Sequence, residues 1–140
     1  MNSDITPRHA LRILCVDDNS ELVELISDML RFYGYHVECV YNGDAGLQVM
    51  AEAPDNFDVL VTDLEMPGLD GHDLIAQARA RGFRGKVVVY SGALTLSERQ
   101  RFGELGVEGI IDKPANHREL IGVIARLQTE LWETASAHAA

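Results

Sequence analysis

The sequence predicts an α/β protein, with five parallel strands in one doubly wound open sheet and helices on both faces. Two observations predict it. Short apolar runs alternate strictly with segments of helical spacing, from residue 11 to residue 133. The runs are also apolar at successive residues, as in strands covered on both faces. Strand–helix–strand units of this kind join by right-handed crossovers. In such sheets ligands bind beyond the carboxyl ends of the strands, so each strand should carry its chemistry at its last residues.

The elements follow in order. "LRILCV" (Leu11–Val16) is the first strand. "SELVELISDMLRFYG" is the first helix, started by Asn19 and Ser20 and stopped by Gly34, with Leu22, Ile26, Met29, Leu30 and Tyr33 at helical spacing. "HVECV" is the second strand, and "DAGLQVMAEA" is a weaker helix ending near Pro54. "FDVLVTD" is the third strand, and Met66-Pro67-Gly68 suits a tight turn. "GHDLIAQARARG" is the third helix, capped by Asp70. "KVVVYSG" is the fourth strand, and "LSERQRFGELG" is a helix interrupted by Gly103. "EGIID" is the fifth strand. "NHRELIGVIARLQTELWE" closes the chain with Leu120, Ile124, Leu127 and Leu131 on its inner face, and "TASAHAA" is expected to fray.

The 140 residues fit one domain, placed at 10–132 with flexible termini at 1–9 and 133–140. Apolar residues make up 46%, which is enough for a core and excludes a disordered chain. A net charge of −10 argues against nucleic acid and against anionic membrane as partners. No apolar run could span a bilayer, and "MNSDITPRHA" has no apolar signal core, so a cytoplasmic protein is expected. Cys15 and Cys39 lie in apolar runs and read as buried free thiols rather than a disulfide or metal pair. The histidines, His9, His36, His72, His117 and His138, lack ligand spacing and read as surface or edge residues.

The strand ends carry the chemistry. Strand one ends in Asp17-Asp18, strand three in Asp63, strand four in Ser91, and strand five just before Lys113-Pro114. The topology brings these residues to one edge. Crowded carboxylates need positive compensation, and a hard divalent cation with oxygen ligands supplies it; Mg²⁺ suits a site of few carboxylates. Lys113 adds a fixed charge. A lone aspartate at a strand end is usually a turn former or helix cap, but this set together reads as a site. Asp112 is expected to face solvent.

Four motifs in order, "VDDN", "TDLEMPGLDG", "VVVYSG" and "DKP", each at a strand end, resemble the receiver domain of two-component response regulators over about residues 10 to 130. The resemblance implies a flavodoxin-like sheet of order 2-1-3-4-5. It implies that Asp63 takes a phosphoryl group from a phosphohistidine on a histidine kinase or histidine phosphotransfer protein. Asp18, Asp63 and the backbone carbonyl of Glu65 would ligate Mg²⁺, with Asp17 holding a metal-bound water. Lys113 would pair with the phosphoryl oxygens, and Ser91 would hydrogen-bond the aspartyl phosphate and carry the switch. The Lys113–Pro114 bond looks like the family's cis peptide.

The family often has an aromatic switch residue three positions before the lysine, and Ile110 stands there. Tyr90 is no obvious substitute, because alternation points it away from Ser91. Glu65 faces the site mouth in the family and is expected to affect metal affinity and phosphoryl lifetime. After Trp132 too little chain remains for an output domain, so a stand-alone receiver or one excised from a longer chain is expected. It would signal by contact with an unknown downstream protein as a monomer or weak dimer, catalysing at most its own phosphotransfer and autodephosphorylation. An exposed Trp132 is either a partner surface or an ordinary helix end. Three rivals remain. A haloacid-dehalogenase-type phosphatase needs Asp-x-Asp after strand one, where this chain has adjacent aspartates. A flavodoxin-type carrier would place FMN phosphate against the acidic "DDNSEL". The third rival is a degenerate receiver that only binds partners.

Overall fold

The computed structural model describes residues 10–92, 94–113 and 117–139, with side chains through Thr134. The elements are β1 (Arg12–Val16), α1 (Ser20–Phe32), β2 (His36–Val40), α2 (Gly43–Glu52), β3 (Val59–Thr62), α3 (Gly71–Ala80), β4 (Lys86–Gly92), α4 (Leu96–Glu104), β5 (Gly109–Lys113) and α5 (His117–Ala139). A single 3₁₀ turn at Pro54–Asn56 precedes β3. The five strands are parallel, in the order β2-β1-β3-β4-β5.

The alternation of side chains along each strand separates two cores. Ile13 and Cys15 of β1, Val59 and Val61 of β3, and Val88 and Tyr90 of β4 pack against α1 and α5. Leu14, Val16, Leu60, Val87 and Val89 face α2, α3 and α4. Burial on both faces is what the unbroken apolar strands required.

Polar side chains set the helix starts. Asn19 accepts from Leu22 N–H, Asn42 from Ala45 N–H, and Asp70 from Asp73 N–H. In α4, Thr95 and Glu98 form a reciprocal capping box. At the end of α1, Gly34 takes φ +92° and lets Tyr35 N–H reach Leu30 O.

Several elements differ from the sequence reading. The buried stripe of α1 is Val23, Ile26, Ser27 and Leu30, while Tyr33 is exposed and Met29 half-buried. Ser27 hides its polarity by donating to Val23 O at 2.7 Å, so a polar letter sits on the core face. Gly103 does not interrupt α4, which runs through it. β3 starts at Val59 rather than Phe57, and just before it Asp58 turns its carboxylate onto Arg12 N–H and the Arg12 guanidinium at 2.9–3.2 Å. β5 includes Lys113, paired with Gly92. The α5 backbone continues from Thr134 to Ala139, past the fraying point read at Glu133; three alanines in that stretch favour helix. Trp132 is half-buried rather than exposed.

Candidate functional site

Strand register builds the site. Val16 pairs with Thr62, so Asp17 and Asp63 emerge side by side, one residue past the ends of two adjacent strands. Asp63 N–H still bonds Val16 O at 3.0 Å, and Asp17 N–H bonds Val40 O at 3.3 Å, which fixes both backbones. Ser91 and Lys113 arrive from β4 and β5 along the same edge. Asp17, Asp63 and Ser91 are buried, and Asp18 is exposed at the mouth.

The side chains form one network. Asp63 Oδ1 accepts from Ser91 Oγ–H at 2.6 Å and from Leu64 N–H at 2.8 Å. Asp63 Oδ2 lies 3.4 Å from Lys113 Nζ. Lys113 Nζ also donates to Asp17 Oδ2 at 2.6 Å, while Asp17 Oδ1 accepts from Asn19 N–H at 2.9 Å. Asp17 is thus a turn former and a site carboxylate at once. Lys113 stands 5.6 Å from the Tyr90 ring centre, close enough for a cation–π contact.

Burial pushes the Asp17 carboxyl above the ordinary carboxylate range, and Lys113 and Asn19 N–H offset only part of this. Burial works against the charge on Lys113 too. There the carboxylates of Asp17 and Asp63 win, and the ammonium is held above its ordinary value. The lysine is therefore a fixed cation at neutral pH.

Oxygen ligands of Asp17, Asp18 and Asp63 lie within 4.8 Å of one another. An all-oxygen set of this size fits a hard divalent cation such as Mg²⁺. Asp70, His72 and Asp73 also cluster, but Asp70 is engaged as the α3 cap. Glu65 is exposed on the wall of a cleft of about 430 Å³ lined also by Leu64, Met66, Pro67, Glu98 and Arg101.

Gly68 takes φ +79°, the conformation a Pro-Gly turn needs at its third residue. Asp112 is exposed and pairs with Arg99 of α4. His36 is exposed, and His72 and His117 are half-buried. Ile110 is half-buried against the α2–α4 core, while Tyr90 belongs to the α1–α5 core on the other face. Pro114, and with it the cis-peptide reading, lies outside the described residues.

Two residues that the sequence reading did not single out hold the loop that begins at Asp63. Thr62 Oγ1–H donates to Asp63 O at 2.8 Å. Gly71 N–H donates to Leu64 O at 2.8 Å, and a Cβ on Gly71 would overlap the Asp63 carbonyl oxygen. The Gly directly after a helix-capping Asp was the available signal, but nothing local says what a Cβ there would strike.

The chain is similar to known proteins across most of its length. The family model for the response regulator receiver domain matches residues 13–125. Response regulator MprA of Mycobacterium bovis is 34% identical over 131 residues, covering 94% of this chain and 55% of that protein. Transcriptional regulatory protein QseB of Escherichia coli O157:H7 is 31% identical over 124 residues, covering 89% and 54%. The chain thus spans about half the length of these curated relatives. A CheY-like response regulator receiver domain protein from Methanospirillum hungatei JF-1 superposes with a TM-score of 0.80 at 27% identity, covering 89% of this chain and 99% of that one. Sequence match, strand order and fold agree, and the chain belongs to the response regulator receiver domain family.

Proposed function

We propose that Asp63 is the phosphoryl acceptor of this receiver, taking the group from a phosphohistidine on a histidine kinase or histidine phosphotransfer protein. The observation that carries this reading is the division of labour at Asp63. Oδ1 is held by Ser91 and Leu64, while Oδ2 is directed at Lys113 beside two further carboxylates. A carboxylate oxygen of Asp63 attacks phosphorus, the P–N bond breaks, and the imidazole leaves as neutral histidine after taking up a proton. Positioning and charge neutralisation dominate such a transfer. Lys113 neutralises phosphoryl oxygens, and Ser91 shifts its hydrogen bond from the carboxylate to the new phosphoryl group.

Asp18, Asp63 and the Glu65 carbonyl would hold Mg²⁺, with Asp17 acting through water; the ion supplies positive charge against the transferred oxygens. With aliphatic Ile110 where the family often has an aromatic, the readout rests on the Ser91 shift and its effect on the loop into α4, sensed by partner contact. The family and the absence, among the described residues, of a helix long and apolar enough to cross a membrane support a cytoplasmic setting.

The test is intact mass after incubation with Mg²⁺ and a small acyl phosphate, wild type beside Asp63→Asn. One phosphoryl group on wild type and none on the variant is expected. Equal gain in both would move the acceptor elsewhere. No gain in either, with no Mg²⁺ binding, would leave a partner-binding scaffold.

A further inference from the structure

Cys15 and Cys39 are direct partners in the parallel register of β1 and β2. Neighbouring strands lie about 4.8 Å apart, inside the Cα separation that a disulfide spans. Paired positions in register project to the same face, and both residues pack into the α1–α5 core. The two differ in access. Cys15 is 2% exposed in a central strand. Cys39 is half-buried on the edge strand, with its sulfur 3.8 Å from the hydroxyl of exposed Tyr41. Both are free thiols.

We propose that Cys15 and Cys39 form a reversible cross-strand disulfide, a modification that does not depend on the phosphoryl reading. Cys39 is the entry point and Cys15 the resolving thiol. With a low-molecular-weight disulfide as oxidant, the Cys39 sulfur attacks one oxidant sulfur and expels the first thiolate. Cys15 then loses its proton, attacks the Cys39 sulfur and expels the second; because burial raises the Cys15 thiol to about 12, this step is slow at neutral pH and quickens as pH rises. The protein loses two electrons and two protons, and the oxidant is reduced to two thiols. The register supplies the proximity that makes the second step intramolecular. The bond would staple the edge strand to the strand that ends in Asp17.

The experiment treats the folded protein with excess oxidised glutathione, then reads intact mass, non-reducing peptide maps and circular dichroism. Loss of two hydrogen masses from the monomer is expected, with a Cys15–Cys39 peptide that disappears on reduction and an unchanged spectrum. Cys39→Ser should block it, leaving Cys15 unmodified. A stable glutathione adduct on Cys39, a Cys39-linked dimer, two thiols intact, or a disulfide that appears only in denaturant would each overturn the proposal. Because the wild-type map carries the assignment, a poorly folding variant does not decide the outcome.

Discussion

At Asp63 one hydroxyl and one amide fix a carboxylate that must be both buried and available. Ser91→Ala removes the 2.6 Å bond but leaves Leu64 N–H on the same oxygen. A hydrogen bond to a charged group contributes about 1.5–3 kcal/mol, so the unfolding free energy of Ser91→Ala from urea titration should fall by an amount within that range, with a lower midpoint. A midpoint unchanged from wild type would mean that Ser91 does not hold Asp63 in the resting state. Asp17 behaves unlike most acids. Its carboxyl is raised, so its contribution to stability is fully present below 3.8 and is lost as pH rises through the elevated value. The Lys113 ammonium is what makes the charged form tolerable. Glu65 is exposed, and a single charge there is worth about 1 kcal/mol at most. Glu65→Ala should therefore change the lifetime of the phosphoryl group by no more than about fivefold while leaving its acceptance intact. An identical decay rate would remove the Glu65 carboxylate from the site, since alanine keeps the backbone carbonyl.

At the scale of elements, two glycines make opposite predictions. Gly103 sits inside α4 with open space where its Cβ would lie. Gly103→Ala should stabilise the protein by about 0.5–1 kcal/mol, seen as a raised melting temperature, because alanine is the better helix former. Gly71 begins α3 against the Asp63 carbonyl oxygen, so Gly71→Ala must push the helix or the Asp63 loop. A loss of about 1–3 kcal/mol is expected, with weakened phosphoryl acceptance. The first helix shows why such positions are hard to read from letters. Its spacing admitted Tyr33 to the inner face, yet Tyr33 is exposed and the fully buried stripe is Val23, Ile26, Ser27 and Leu30, with Leu22 packed at its edge; Ser27 satisfies its own hydroxyl within the helix.

For the whole molecule, alkaline pH is the vulnerable side. Burial pushes the Cys15 thiol from 9.0 up to about 12. Burial also raises Tyr35 and Tyr90 above 10.0, and Lys113 stands above 10.5 through its carboxylates, which outweigh burial. Each group keeps its proton longer folded than unfolded. The stability they contribute is fully present below the unfolded values and is lost as pH rises through the folded ones. The unfolding free energy from urea titration should therefore fall progressively above pH 9, by at most about 1.4 kcal/mol per pH unit for each group. Cys15→Val should flatten the first part of that fall. A flat profile from pH 8 to 11 would show that these groups are not buried as described.

What the sequence determined by itself was the alternation of five strands with five helices, the sheet buried on both sides, and the carboxyl-edge placement of Asp17, Asp18, Asp63, Ser91 and Lys113. These rest on periodicity and on the rule that parallel strands share one direction, both local or topological facts. The caps at Asn19 and Asp70 were equally legible, since a cap spans only a few residues. Tertiary structure alone decided the rest. Register set Asp17 beside Asp63 and Cys15 beside Cys39. Side-chain geometry split Lys113 between two carboxylates. Packing put Gly71 against the Asp63 carbonyl and Ile110 into the α2–α4 core. Those are contacts between residues far apart in the chain, and their distances follow from how elements pack, which no local pattern encodes.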